Sequence, residues 1–398
     1  MVNSWCFYIN LPFGAVTLVL LSFTIKNTEA PMPGLSLRQQ LSRLDLPGTA
    51  IFLPGITCLL LALQWGGGTY SWSDGRIIAL FVVFGVCMIA FCAIQAWKQE
   101  SGTVPPRILK QRSIAAGAWF TFFMGAPFLS VVYYLPVWFQ AIKGDSAIRS
   151  GLSTLPLLLS LVVGTISSGA TVSRVGVYKP FMILSAILVP IGAGILSLLK
   201  PTTNHSEWIG FQVLFGFGVG VGFQQPNVAA QTVLPRADVP TGIAVIFFAL
   251  GLGATVSVAI GQSILDNRLI SGLSGIKGFD PHKIVDVGAT QLRNVLPARF
   301  LPQVLQVYNN ALRDVFYISV AFGSMAIFGA LGIEWKNIQK IREEQAKLKQ
   351  RKTAEQEEKH SKANGSSLVD VEKQENTAES QYSKQGNVKE SGAPEIMG

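Results

Sequence analysis

Nine stretches of this chain run close to or beyond the roughly 20 residues that an α-helix needs to cross a bilayer, and none contains a Lys, Arg, Asp or Glu. They lie at about 4–25, 47–65, 77–97, 114–141, 151–172, 180–199, 208–231, 242–265 and 315–333. That pattern predicts an all-α, polytopic membrane protein with helix following helix and no soluble domain between them. Composition agrees: across 398 residues only 14% are charged, and the mean hydropathy is +0.40. The net charge of +9 does not point to nucleic acid. Much of the Lys and Arg falls in the short gaps between apolar runs or just after the last one, where it sets membrane topology.

The tail after the ninth stretch opens with Lys336, Lys340, Arg342, Lys347, Lys349, Arg351 and Lys352, which places the C-terminus in the cytosol. Counting back, the cytosolic connections carry Lys26, Arg38 and Arg43, then Lys98, Arg107, Lys110 and Arg112, then Arg174 and Lys179, then Arg236. The opposite short loops hold only Arg76, Lys143, Arg149 and Lys200. The sequon at Asn204 falls on the non-cytosolic side and is a glycosylation candidate, whereas that at Asn364 falls in the cytosolic tail. An odd number of spans with a cytosolic C-terminus puts the N-terminus outside. Helical transporters usually begin and end in the cytosol, so the parity leads one to expect helices before residue 1. Residues 266–314 read as an extracellular loop with short helical pieces. From Lys336 onward the polar composition predicts disorder after a helical turn or more.

Candidate chemistry is sparse. His205, His282 and His360 lie outside the spans, and carboxylates such as Asp45, Asp74, Asp145, Asp238 and Glu334 sit at helix ends. The spans therefore offer no intramembrane acid, base or metal cluster, and an enzyme, metal or cofactor reading has little to stand on. Cys6, Cys58, Cys87 and Cys92 lie in apolar runs without CxxC spacing and read as packing residues. The run GFGVGVGFQQPN, Gly216 to Asn227, lies inside an apolar helix and does not fit a phosphate loop. Gly216 with Gly220, and Gly218 with Gly222, have the GxxxG spacing that lets a neighbouring helix approach.

Just beyond, Gln224, Asn227 and Gln231 fall within about 60° on one helical face, beside Gln225. Such a face either lines a cavity or pairs with another helix. Pro226 frees a backbone carbonyl there and predicts a local kink. In the fourth stretch Tyr133 and Gln140 share a face and are further cavity candidates. Tyr134 and Trp138 share another, and Trp138 reads as part of an aromatic belt at the outer interface.

The loop GATVSRVGVYKP resembles a degenerate copy of the cytosolic GxxxDRxGRK signature of the major facilitator superfamily. Gly169, Arg174, Gly176 and Lys179 match, while Ser173 replaces the acid and Val177 a basic residue. WCFYINLPFG, with Trp5, Asn10, Pro12 and Gly14, resembles the sixth-helix signature of the fourteen-helix drug:proton antiporters. Asp45 to Gly67 is similar to their seventh helix, and the Gly216 run to their twelfth. The likeness is strongest to fungal toxin and multidrug efflux pumps.

It implies that residues 1–25 are the last helix of an N-terminal bundle. Residues 26–112 would be two linker helices with their cytosolic loops, and 113–335 a complete C-terminal six-helix bundle. The tail would be 336–398. It further implies proton-coupled efflux of a hydrophobic or amphipathic small molecule across the plasma or vacuolar membrane. The coupling residues are expected ahead of residue 1, so this chain alone is expected to pump poorly. A non-transporting scaffold or regulatory fragment, and an importer of sugars or siderophores, remain alternatives that the scaffold itself does not separate.

Overall fold

The computed structural model describes residues 8, 10–24, 45–67, 69–98, 102, 105–274, 300–340, 343 and 347. Among these, all regular structure is helical, apart from the isolated bridges Gly66 to Tyr70 and Val177 to Asn337. All nine apolar stretches are helical over most of their described residues, and the chain divides into two units, Met1–Lys110 and Gln111–Gly398.

In the first unit, α1 (Asn10–Thr24) buries none of its residues. Helices α2 (Leu46–Trp65) and α3 (Gly75–Lys98) pack on each other, and the one-turn α4 (Pro106–Leu109) follows. One buried carboxylate pins the α2–α3 pair. Asp45 caps α2 by accepting from the Gly48 N–H at 3.0 Å and lies 3.2 Å from Lys98 Nζ, and the Gln95 amide donates to its other oxygen. A cap that is also an ion pair and an amide acceptor leaves that carboxylate well satisfied despite burial.

The second unit is a bundle of six spans. These are α5 (Arg112–Trp138, continued by the π-helix Phe139–Lys143), α6 with α7 (Ala147–Ser153, Leu155–Val175), α8 (Lys179–Leu196), α9 with α10 (His205–Phe223, Gln225–Val233), α11 (Val239–Leu273) and α12 (Leu301–Gly332). The packing repeats. Helix α5, which opens the first three spans, packs on α11 and α12 of the last three; α9, which opens the last three, packs on α7 and α8 of the first. This interlock is the signature of a three-plus-three repeat.

Glycines make both halves of the interlock possible. A Cβ on Gly216 or Gly220 would lie 2.2 or 2.1 Å from the carbonyl oxygens of Leu157 and Leu161 on α7. One on Gly218 or Gly222 would run into Leu188 or Ser185 of α8, at 2.8 and 2.3 Å. The two GxxxG pairs thus serve two different neighbours, as their spacing predicts. On the other side, Gly253 of α11 sits on the Phe122 carbonyl and Gly125 of α5 on that of Leu250. Helix α5 buries fourteen residues and is the hub of the unit.

Two expectations change. The segment 266–314 is not a loop throughout: α11 runs on to Leu273 and α12 starts at Leu301, while 275–299 lie outside the described residues. Leu265, Leu269 and Leu273 form a buried stripe in the same core as Val304, Tyr308, Ala311 and Leu312, and Arg268 pairs with Asp314 at 2.7 Å. Residues Asp266, Asn267 and Arg268 lower the mean hydropathy, but the four-residue spacing of the leucines keeps the helix going. Asp266 therefore lies inside a helix, 9% exposed, accepting from Gln262 Nε2 at 2.9 Å.

Trp138, expected in a belt at the interface, is 1% exposed, and its indole N–H donates to Asn309 Oδ1 at 2.8 Å. A partner on α12 removes the reason for the indole to seek water. Just past Lys336, within the turn expected to keep its structure, the chain packs back on the bundle. Ile338 is buried, and its N–H donates to the Gly176 carbonyl at 2.8 Å.

Candidate functional site

The polar run after the glycines is where one membrane span breaks. Helix α9 ends at Phe223, Gln224 lies between, and α10 restarts at Gln225 with Pro226 in its first turn, where a missing N–H costs nothing. The two pieces have different neighbours: α9 packs on α7 and α8, whereas α10 packs chiefly on α5 and α11.

At the break the amides divide. Gln225 is 1% exposed and donates through Nε2 to Ser168 Oγ at 3.3 Å and to the Val221 carbonyl at 3.2 Å. Asn227, 8% exposed, donates to Gln224 Oε1 at 3.1 Å. Gln224 and Gln231 are exposed, so the single face expected from spacing keeps only the Gln224–Asn227 pair together. The Oε1 of Gln225 and the Oδ1 of Asn227 are buried and accept no hydrogen bond within the protein. Two orphan acceptors two residues apart are costly unless a water or ligand donor reaches them.

A cavity of about 140 Å³ opens here, lined by Gly169, Val172, Ser173, Gln224, Gln225, Val228, Ile338 and Gln339. It joins the amide run to the loop signature, two features that sequence alone kept apart. Around that loop, Gly176 caps α7 in the left-handed region at φ +78°, and a Cβ there would meet Asn337 Oδ1 at 2.5 Å. Lys179 Nζ donates to the carbonyls of Leu331 and Ile333, both at 2.9 Å, at the open end of α12. Gln339 Nε2 donates to the Ser173 and Arg174 carbonyls, while the Arg174 side chain is exposed.

Burial pushes the Tyr178 hydroxyl up to about 12, with Glu334 adding to the shift, and the hydroxyl donates to the Glu334 carbonyl at 3.2 Å. The Glu334 carboxyl is held below its ordinary range by its hydrogen bond to Lys336. The α7–α8 loop is thus a latch on the end of α12 and the first residues after it.

The remaining candidates lie elsewhere. Tyr133 is half exposed. Gln140 falls in the π-helix, where its Nε2 donates to Ser150 Oγ at 2.9 Å. Asn10, Pro12 and Gly14 are exposed on α1, and Trp5 lies outside the described residues. Asn204 is exposed and caps α9, its N–H donating to Glu207 Oε2 at 3.2 Å.

Sequence reasoning missed Gln212, fully buried on α9, which donates to the Ser153 carbonyl at 3.0 Å and leaves its own Oε1 without a partner. An amide set three turns ahead of the polar run in the seventh apolar stretch was the available signal. It also missed the buried Ser130–Ser257 hydroxyl pair joining α5 to α11 at 2.7 Å. Among the described residues no three His, Cys, Asp or Glu side chains gather as a metal site.

Comparison with known proteins bears on this arrangement. Residues 3–258 match the family model of the Major Facilitator Superfamily. The MFS-type transporter VdtG of Byssochlamys spectabilis is 48% identical over 334 residues, which are 84% of this chain and 60% of that protein. The MFS-type efflux pump MFS1 of Trichophyton rubrum is 47% identical over 336 residues, 84% of this chain and 63% of the pump. The rubrofusarin-specific efflux pump aurT of Gibberella zeae is 44% identical over 336 residues, 84% of this chain and 61% of the pump. The chain spans about three fifths of the length of these curated relatives.

Proposed function

The chain belongs to the major facilitator superfamily, and on that premise we propose that it serves efflux of a hydrophobic or amphipathic small molecule in exchange for protons. The observation that carries the reading is the broken span. A transport path needs polar groups that are free to bond a passing ligand, and at the cytosolic end of this span the buried oxygens of Gln225 and Asn227 accept nothing from the protein. Broken helices are tolerated in a bilayer where they line a cavity, and a cavity meets this break. The two named efflux pumps among the relatives support the direction of transport. Uncharged amides suit a neutral oxygen-rich or phenolic compound better than a strongly charged one.

The proton side of the exchange needs a titratable group in the bundle, and Asp266, buried inside α11, supplies one. The groups near it are Gln262 on its own helix, Tyr134 on α5 and Tyr308 on α12. The C-terminus lies in the cytosol in this reading, with the plasma membrane the first place to look and the vacuolar membrane the second.

The test is expression in an efflux-deficient yeast loaded with amphipathic dyes and polyketide toxins. Retention should fall with the chain, recover with Gln225→Ala combined with Asn227→Ala, and lose its dependence on external pH with Asp266→Asn. Retention equal to that of the empty vector for every compound would refute the efflux reading.

A further inference from the structure

A second cavity lies away from the broken span, between the end of α8 and the outer part of α12, with a volume of about 580 Å³. Its charge is one-sided. Among the described residues, Lys200 and Arg313 line it and no acid does. The neighbouring Asp314 is engaged by Arg268 at 2.7 Å. Arg313 lies 6.0 Å from the Tyr317 ring centroid, and its Nε is buried without a hydrogen-bond partner. A partly buried guanidinium with an unused donor favours an anion.

The site is also held open by its frame. Asn309 spends both ends of its amide, accepting from Trp138 and donating to the Leu199 carbonyl at 3.0 Å. That bond fixes the end of α8, and with it Lys200, beside the helix that carries Arg313. Lys143 secures the same turn from another side, donating to the carbonyls of Pro201 and Thr203 at 2.8 Å each.

Depth identifies the ligand. Arg112 and Lys179 hold the Gly332 end of α12 through the carbonyls of residues 331–333. Arg313 lies roughly 28 Å from Gly332 at 1.5 Å per residue, against a hydrocarbon core of about 30 Å. Lys179 opens α8 at that same end, and Lys200 follows the far end of α8. Both cations therefore stand at the headgroup level of the opposite leaflet. Tyr317 sits one turn deeper, on the membrane side of Arg313, whereas Leu305 lies two turns further out along α12.

We propose that this cavity binds the phosphate of a phospholipid in the leaflet opposite the Gly332 end, Lys200 and Arg313 taking the phosphate oxygens and the half-exposed Tyr317 ring, one turn deeper, the glycerol and upper acyl chains. A free phosphate has the same anionic chemistry but no use for the Tyr317 ring on the membrane side of it. The site thereby anchors the α8 and α12 pair to the bilayer on the side away from the latch.

The experiment is native mass spectrometry of the purified full chain in detergent, offered phosphatidylcholine, diacylglycerol with the same acyl chains, or inorganic phosphate. Phosphatidylcholine should be retained about tenfold better than diacylglycerol. Lys200→Gln combined with Arg313→Gln should bring it down to the diacylglycerol level, and Arg313→Lys should keep most of it. Lys200→Gln alone, at an exposed position beyond the helix end, should cut retention severalfold in a normally folded protein. Equal retention by wild type and the double variant, or by the two lipids, would overturn the proposal. So would displacement of phosphatidylcholine by millimolar inorganic phosphate, which would assign the site to a free anion.

Discussion

Placing a methyl group on Gly220 tests the interlock directly. The added Cβ would lie 2.1 Å from the Leu161 carbonyl oxygen, and that backbone atom cannot swing aside. Restoring ordinary contact requires α7 and α9 to part by about 1 Å, a gap that forfeits a quarter to a half of each dispersion contact across the seam. Overpacking of this kind costs about 1–3 kcal/mol, while Ala in place of Gly in a helix returns about 1 kcal/mol. Gly169→Ala isolates the second effect, because nothing lies within 4 Å of a Cβ there.

Gly220→Ala should therefore melt about 4–8 °C below Gly169→Ala, taking about 2 kcal/mol and 2–4 °C per kcal/mol for a bundle of this size. Tryptophan emission on heating in micelles is the assay, since Trp208 of α9 is 7% exposed and its ring centroid lies 5.0 Å from that of Phe139. A Gly220→Ala melt equal to or above that of Gly169→Ala would refute the claim that close approach, and not helix flexibility, explains the glycine.

Trp138→Phe removes the donor to Asn309 and leaves a buried carbonyl oxygen unpaired, so the same melt should fall by an amount matching about 1–3 kcal/mol. The latch should weaken in alkali. Tyr178 keeps its proton to about pH 12 in the folded chain against an ordinary value of 10.0, so its contribution is complete below pH 10 and is lost as pH rises toward 12. Tyr178→Phe should flatten that part of a stability-against-pH curve. In a eukaryotic host, Asn204→Gln should abolish any mobility shift produced by a glycosidase, whereas Asn364→Gln should leave it unchanged.

The helices were legible because length and charge alone decide whether a stretch can span hydrocarbon, and the glycine seams were legible because GxxxG spacing has one steric use there. The helical arms beyond the core were not. Averaging hydropathy across Asp266, Asn267 and Arg268 hides Leu265, Leu269 and Leu273, whose apolar partners on α12 lie some forty residues away. Trp138 misled for a similar reason. An indole near a helix end seeks water only if no buried acceptor is at hand, and Asn309 belongs to the last helix.

The candidate site shows the same limit more sharply. Spacing on one helix placed Gln224, Asn227 and Gln231 on a common face, but burial depends on what each faces across the bundle. Gln225, pointing the other way, reaches Ser168 on α7 and ends up the most buried of the four. The break itself has a reason that only tertiary packing supplies. The first part of the span follows α7 and α8 along its glycines, and the second follows α5 and α11. A continuous helix would have to serve both sets of neighbours along one straight axis. Interrupting it at Gln224 releases that constraint, and Pro226 makes the restart cheap. The polar amides fall where backbone groups are freed, so the position of the break and the chemistry of the residues around it have one cause.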